Sequence, residues 1–176
     1  YRQRIPSLQP DTKTYSLLMA VETKQRPRDA PKLCNELLQR MKGSDVCKPN
    51  AVVFTHVMEA YVKSRSSDAP AATQAIWDYL VESSELEPTE KSLTRVLQAW
   101  ITSGTDQASS HMDRAVDYML VAARGDSRIL PDSLFSNLVL SSCLEQNRER
   151  VSAPLADALM SRLCDEARQS PQLTPS

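Results

Sequence analysis

Imidazole and thiol groups, which carry much of metal and acid–base chemistry, are scarce in this sequence. Two histidines, His56 and His111, and four cysteines, Cys34, Cys47, Cys143 and Cys164, are the whole supply in 176 residues. A structural zinc site takes clustered ligands at short local spacing, and no Cys-x-x-Cys pair occurs. Cys34 and Cys164 fall on apolar helix faces, where a thiol acts as a small buried hydrophobe. The absence of a disulfide pattern favours a reducing compartment. Glu59 follows His56 by one helical turn, yet without paired cysteines the zinc-deaminase arrangement is not met, and His56 reads as a surface residue. There is no Gly-x-Ser-x-Gly, no phosphate loop and no His-Glu-x-x-His. The expectation is a non-catalytic protein that uses no cofactor, no metal and no small-molecule substrate.

Charge is the other source of binding chemistry. Lys and Arg total 21 against 22 Asp and Glu, a net charge of −1, which argues against a uniformly basic nucleic-acid binder. The charge is unevenly spread. Residues 1–50 carry 10 basic and 5 acidic groups, whereas residues 51–100 carry 4 and 7. The basic excess includes Arg2, Arg4, Lys13, Lys24, Arg26, Arg28 and Lys32, a candidate patch for backbone phosphates. That patch reads equally as a solvated face or a protein-docking tail. Glu82, Glu85, Glu87 and Glu90 would repel phosphate and suit a protein partner better. No apolar run approaches the roughly 18–20 residues of a membrane span, so no membrane partner is expected.

The elements that must position these groups are helices. Only 3 glycines occur, Gly43, Gly104 and Gly125, each isolated, which disfavours hairpin arrays and dinucleotide-binding turns that need positive φ. Apolar residues make up 41% and aromatics 5%, a balance suited to an aliphatic helical core.

Prolines divide the chain into units. Pro10-Asp11, Pro49-Asn50, Pro88-Thr89, Pro131-Asp132 and Pro175-Ser176 are separated by 39, 39, 43 and 44 residues. Each Pro is followed by a small polar residue of the type that caps a helix start. Four of the five lead into matching stretches: Tyr15 to Met19, Phe54 to Met58, Leu93 to Leu97, and Phe135 to Val139. In each, a large apolar residue is followed by Ser or Thr, a variable residue and two apolar residues, which forms one helical stripe. A small residue, Ala60, Ala99 or Ser141 (Val21 in the first unit), follows two positions later and lets neighbouring helices approach. Second helices share apolar pairs with a further apolar residue one turn on: Leu37-Leu38 with Met41, Ile76-Trp77 with Leu80, Ala115-Val116 with Met119, Leu159-Met160 with Leu163. Polar loops at Gln25–Arg28, Ser64–Ala69, Gly104–Ser110 and Asn147–Ser152 separate the paired helices.

The sequence therefore predicts an all-α protein of eight helices, near 12–24, 29–43, 51–65, 69–84, 90–103, 110–124, 132–146 and 152–168. A basic extension, 1–9, precedes a single domain, 10–176, of four helix-turn-helix repeats at about 10–48, 49–87, 88–130 and 131–174. One such pair cannot hide its apolar stripes alone, whereas a stack of them makes a continuous core.

The unit resembles a pentatricopeptide repeat. Pro10-Asp11-Thr12-Lys13-Thr14-Tyr15-Ser16 and Pro49-Asn50-Ala51-Val52-Val53-Phe54-Thr55 are similar to that family's opening. Cys34 to Met41 and Ile76 to Leu80 are similar to its close. The repeats here are longer than the family's roughly 35 residues, and the third replaces the aromatic by Leu93. The resemblance implies an α-α superhelical solenoid, right-handed, with the first helices lining its concave face. It implies single-stranded RNA as the partner, one base per repeat, read by two side chains. Carried over position by position, these are Ser16 with Asn50, Thr55 with Thr89, Thr94 with Asp132, and Ser136 with Ser176. Ser with Asn would favour adenine and Thr with Asp guanine. Asp11 would close a preceding repeat. The resemblance further implies work in organellar RNA processing, stability or translation, in a mitochondrion or plastid. The alternative is a protein-interaction scaffold or a subunit of an organellar ribosome or other large assembly. A third option is a piece of an enzyme in which the repeats only dock substrate.

Overall fold

The structure, a computed structural model, describes residues 10–103, 105–125 and 133–145, and residues 153–154, 156–161 and 164–165 of the C-terminal stretch. It is all-α. Seven helices follow one another: α1 (Thr12–Gln25), α2 (Ala30–Lys42), α3 (Ala51–Ser64), α4 (Ala69–Glu82), α5 (Glu90–Ser103), α6 (Asp106–Ala123) and α7 (Ser133–Glu145). Residues 156–161 are helical too, where the eighth helix is expected. No strand occurs among the described residues.

Helices α1, α3 and α5, the first helices of three successive pairs, begin with a side-chain cap. Asp11 Oδ1 accepts from Thr14 N at 2.7 Å and from the Thr14 hydroxyl at 2.6 Å. Asn50 Oδ1 accepts from Val53 N at 3.1 Å. Thr89 Oγ1 accepts from Ser92 N at 3.2 Å while Ser92 Oγ accepts from Thr89 N at 2.9 Å, a reciprocal pair that satisfies two otherwise orphaned donors.

Helices α2 and α4 start differently. Asp29-Ala30-Pro31 and Asp68-Ala69-Pro70 recur 39 residues apart, with Pro in the first turn of α2 and α4, where a missing N–H costs nothing. Ala30 and Ala69 are buried at the hairpin bend. The exits from α2 and α4 repeat as well. Ser44 Oγ accepts from Val46 N and Cys47 N, both at 3.2 Å, and Ser83 Oγ accepts from Glu85 N at 3.3 Å and Leu86 N at 3.2 Å. Local geometry thus repeats along with the sequence period.

The chain divides into two compact units, Tyr1–Pro88 and Thr89–Ser176. In the first, α1 packs on α2 and α3, α2 on α3, and α3 on α4. Met19, Cys34, Leu38, Met41, Phe54, Val57 and Leu80 form its core. In the second, α5 packs on α6 and α7, and α6 on α7. Leu97, Met112, Val116, Met119, Phe135, Val139 and Cys143 form that core. Each unit therefore brings the first helices of two successive pairs side by side.

Two expectations are corrected. The polar segment Gly104–Ser110 is not all loop, because α6 starts at Asp106. Ala108 and Met112, one turn apart, are buried and hold that start in place. In α6 the helix runs for 18 residues against 14 in α4, and it absorbs part of the longer third repeat. Ala60 and Ala99 are buried as close-approach positions, but Val21 and Ser141 are exposed.

Candidate nucleic-acid interface

Ser16, Thr55 and Thr94 occupy one register, the fifth residue of α1, α3 and α5. Each hydroxyl donates to the carbonyl four residues earlier: Ser16 to Thr12 O at 2.9 Å, Thr55 to Ala51 O at 2.9 Å, and Thr94 to Glu90 O at 2.8 Å. With the proton held by the backbone, what such an oxygen offers outward is a lone pair. Ser16 and Thr55 are half-buried. Thr94 departs from the expected inward-pointing base reader, since it is only 1% exposed, in a helix whose Ser92, Val96 and Leu97 are also buried. Ser136 is half-buried in α7.

The partner positions are caps. Asn50 and Thr89 hold the starts of α3 and α5 through the bonds already described, which places the side-chain acceptor of each on its own backbone. Asn50 is exposed and Thr89 half-buried. Asp11 has the same role in α1. The Thr14 hydroxyl and N–H it accepts from pull its pKa below the ordinary 3.8. Asp132 and Ser176 lie outside the described residues.

Ser16 and Asn50 come to the same end of neighbouring hairpins. The Thr12 hydroxyl donates to Lys48 O at 3.4 Å and lies 3.3 Å from Cys47 Sγ, which lays the segment before Asn50 against the turn that Ser16 bonds to.

The five candidate phosphate contacts are all exposed but do not form one group. Lys24, Arg26, Arg28 and Lys32 surround the α1–α2 bend. Lys13 lies in the first turn of α1, at the opposite end of a 14-residue helix, about 20 Å away at 1.5 Å per residue. It belongs instead with Lys48. Glu82, Glu85, Glu87 and Glu90 are exposed at and after the end of α4.

Lys42 was not singled out by sequence reasoning. Its Nζ lies 5.6 Å from the Phe54 ring centre and 5.1 Å from that of Tyr79, and the two rings are 5.2 Å apart. This cation seam joins the first hairpin to the second. A lysine closing α2 one period before Val81, ahead of an aromatic at the start of α3, was the available signal. His111 stacks flat on Trp100 across the α5–α6 pair, with ring centres 3.8 Å apart and 10° between planes.

Cys34, Cys47 and Cys143 are buried, while Cys164 is exposed, contrary to its expected burial. Its face, with Asp157, Met160, Ser161 and Asp165, lines an open depression. Burial raises the Cys34 pKa, which keeps it a neutral thiol. Among the described residues no group of three His, Cys, Asp or Glu side chains is placed to hold a metal, and no helix is long and apolar enough to cross a membrane. No family model, no curated protein and no solved structure matches the chain.

Proposed function

We propose that the chain is a non-catalytic α-solenoid module of the pentatricopeptide kind that binds single-stranded RNA in organellar RNA metabolism. The observation that carries this reading is the register of Ser16 and Thr55. The two stand one period apart at the same turn of successive first helices, with the same bond to the backbone. RNA is gripped chiefly through phosphates by the first hairpin, whose bend carries four exposed cations. Base selection is confined to the first unit, where Ser16 with Asn50 presents oxygen acceptors and, from Asn50, an amide donor, and Thr55 presents an oxygen acceptor. The buried Thr94 leaves the third repeat as structural support.

The test uses Asn50→Asp. A carboxylate keeps the cap on α3 but replaces the amide donor with an acceptor. Base preference at one position of a bound oligonucleotide should move from adenine toward guanine, with little change in melting temperature. An unchanged preference with intact binding leaves Asn50 a cap only.

A protein-scaffold reading rests on a different observation, the exposed carboxylates Glu82, Glu85, Glu87 and Glu90. It stands in place of the RNA reading if no RNA binds at low salt.

A further inference from the structure

Helix α1 carries an apolar face that its counterpart one period later, α3, buries. In α1, Leu17, Leu18 and Val21 are 58%, 41% and 45% exposed. One period later, Val57 and Ala60 of α3 stand at the registers of Leu18 and Val21 and are 0% exposed. The difference lies in neighbours. Helix α3 packs on the preceding pair, α1 and α2, and on its own partner α4, whereas among the described residues α1 packs on α2 and α3. Three large aliphatic side chains within two turns of one helix are costly to leave in water.

We propose that this face of α1 is a docking surface for a helical hairpin of the chain's own repeat type. The α1–α3 and α2–α3 contacts describe the occupant. Its first helix carries an apolar residue at the register of Met19, and its second helix carries apolar residues at the registers of Leu37, Leu38 and Met41. Polar chemistry narrows it further. Asn35 Nδ2 of α2 donates to the Tyr61 hydroxyl of α3 at 2.7 Å. The α1 residue at the register of Tyr61 is Glu22, so the docking hairpin presents a hydrogen-bond donor, an amide or a cation, at the register of Asn35. The proposal rests on the stacked-hairpin part of the reading above and not on RNA binding, and RNA does not enter its test.

The test is a tandem duplication of residues 11–49 placed between Pro10 and Asp11 of the full chain, which keeps the Pro-Asp junction and the 39-residue period. The inserted hairpin should raise the thermal midpoint by at least about 5 °C in a single transition. Leu18→Glu with Val21→Glu in the second copy should cancel that rise. The same pair of substitutions in the unextended chain should move its midpoint by less than about 2 °C, whereas Val57→Glu should unfold it. Three results would each overturn the proposal. One is an insert that melts as its own transition. Another is a parent chain as sensitive to glutamate at Leu18 as at Val57. The third is a parent dimer that the two glutamates make monomeric, which would assign the face to a second copy.

Discussion

If the cations around the first bend hold phosphates, their removal has a calculable signature. Lys24, Arg26, Arg28 and Lys32 are all exposed, and none is ion-paired among the described residues. Single-stranded nucleic acid releases about 0.7 counterion per neutralised phosphate, so four contacts contribute about −2.8 to the slope of log K against log salt. Over a fourfold rise in salt, such as from 50 to 200 mM, that component alone weakens binding about 50-fold. The variant Lys24→Gln, Arg26→Gln, Arg28→Gln, Lys32→Gln should lose this component and keep whatever slope Lys13 and Lys48 supply at the other end of the hairpin. Fluorescence anisotropy of a labelled mixed-sequence RNA across a salt series reads the slope. Circular dichroism checks the fold, which should hold, since exposed substitutions of this kind cost within about 0.5 kcal/mol each. A slope within about 0.5 of the parent's would refute the assignment of the bend to phosphate, even if RNA binds.

Further outcomes follow from the caps, the core and the thiols. Asn50→Ala should cost about 1 kcal/mol by denaturant titration, because the N–H of Val53 loses its partner. Phe54→Ala should cost about 3–5 kcal/mol, since the ring is buried in the core and also faces Tyr79 and Lys42. The Asp11 carboxylate has its pKa lowered in the folded chain, so its stabilising cap is present above the ordinary 3.8 and is lost as pH falls through the lowered value. Asp11→Asn should flatten the acid limb of a melting-temperature profile; an unchanged limb would place the acid sensitivity elsewhere. Under native conditions iodoacetamide followed by mass mapping should label Cys164 well before Cys34, Cys47 and Cys143, because the first is exposed and the others are buried.

The fold was legible where one residue type forces one local structure. A Pro followed by Asp, Asn or Thr announces a capped start, and the structure places Asp11, Asn50 and Thr89 in that role. The Asp-Ala-Pro bends carried a signal of the same strength at 29–31 and 68–70 that the apolar pattern overshadowed. The start of α6 reads as loop in the sequence because Thr, Asp and Ser compete for backbone hydrogen bonds, while the deciding burial of Ala108 and Met112 is tertiary. The site was legible in register but not in availability. Sequence spacing aligns Ser16, Thr55 and Thr94, but it does not reveal that each proton is committed to the preceding turn or that Thr94 is buried. Those depend on rotamers and on what packs beside the helix.

Within each unit, every helix rests on partners no farther than one hairpin away along the polypeptide. Such short-range connectivity gives a low contact order, and low contact order goes with fast folding through local nucleation. A nascent chain emerging at about 5–20 residues per second would complete a 39-residue period every few seconds. Within a unit, the later helices then close onto the pair already formed, before the distant C-terminus has been made.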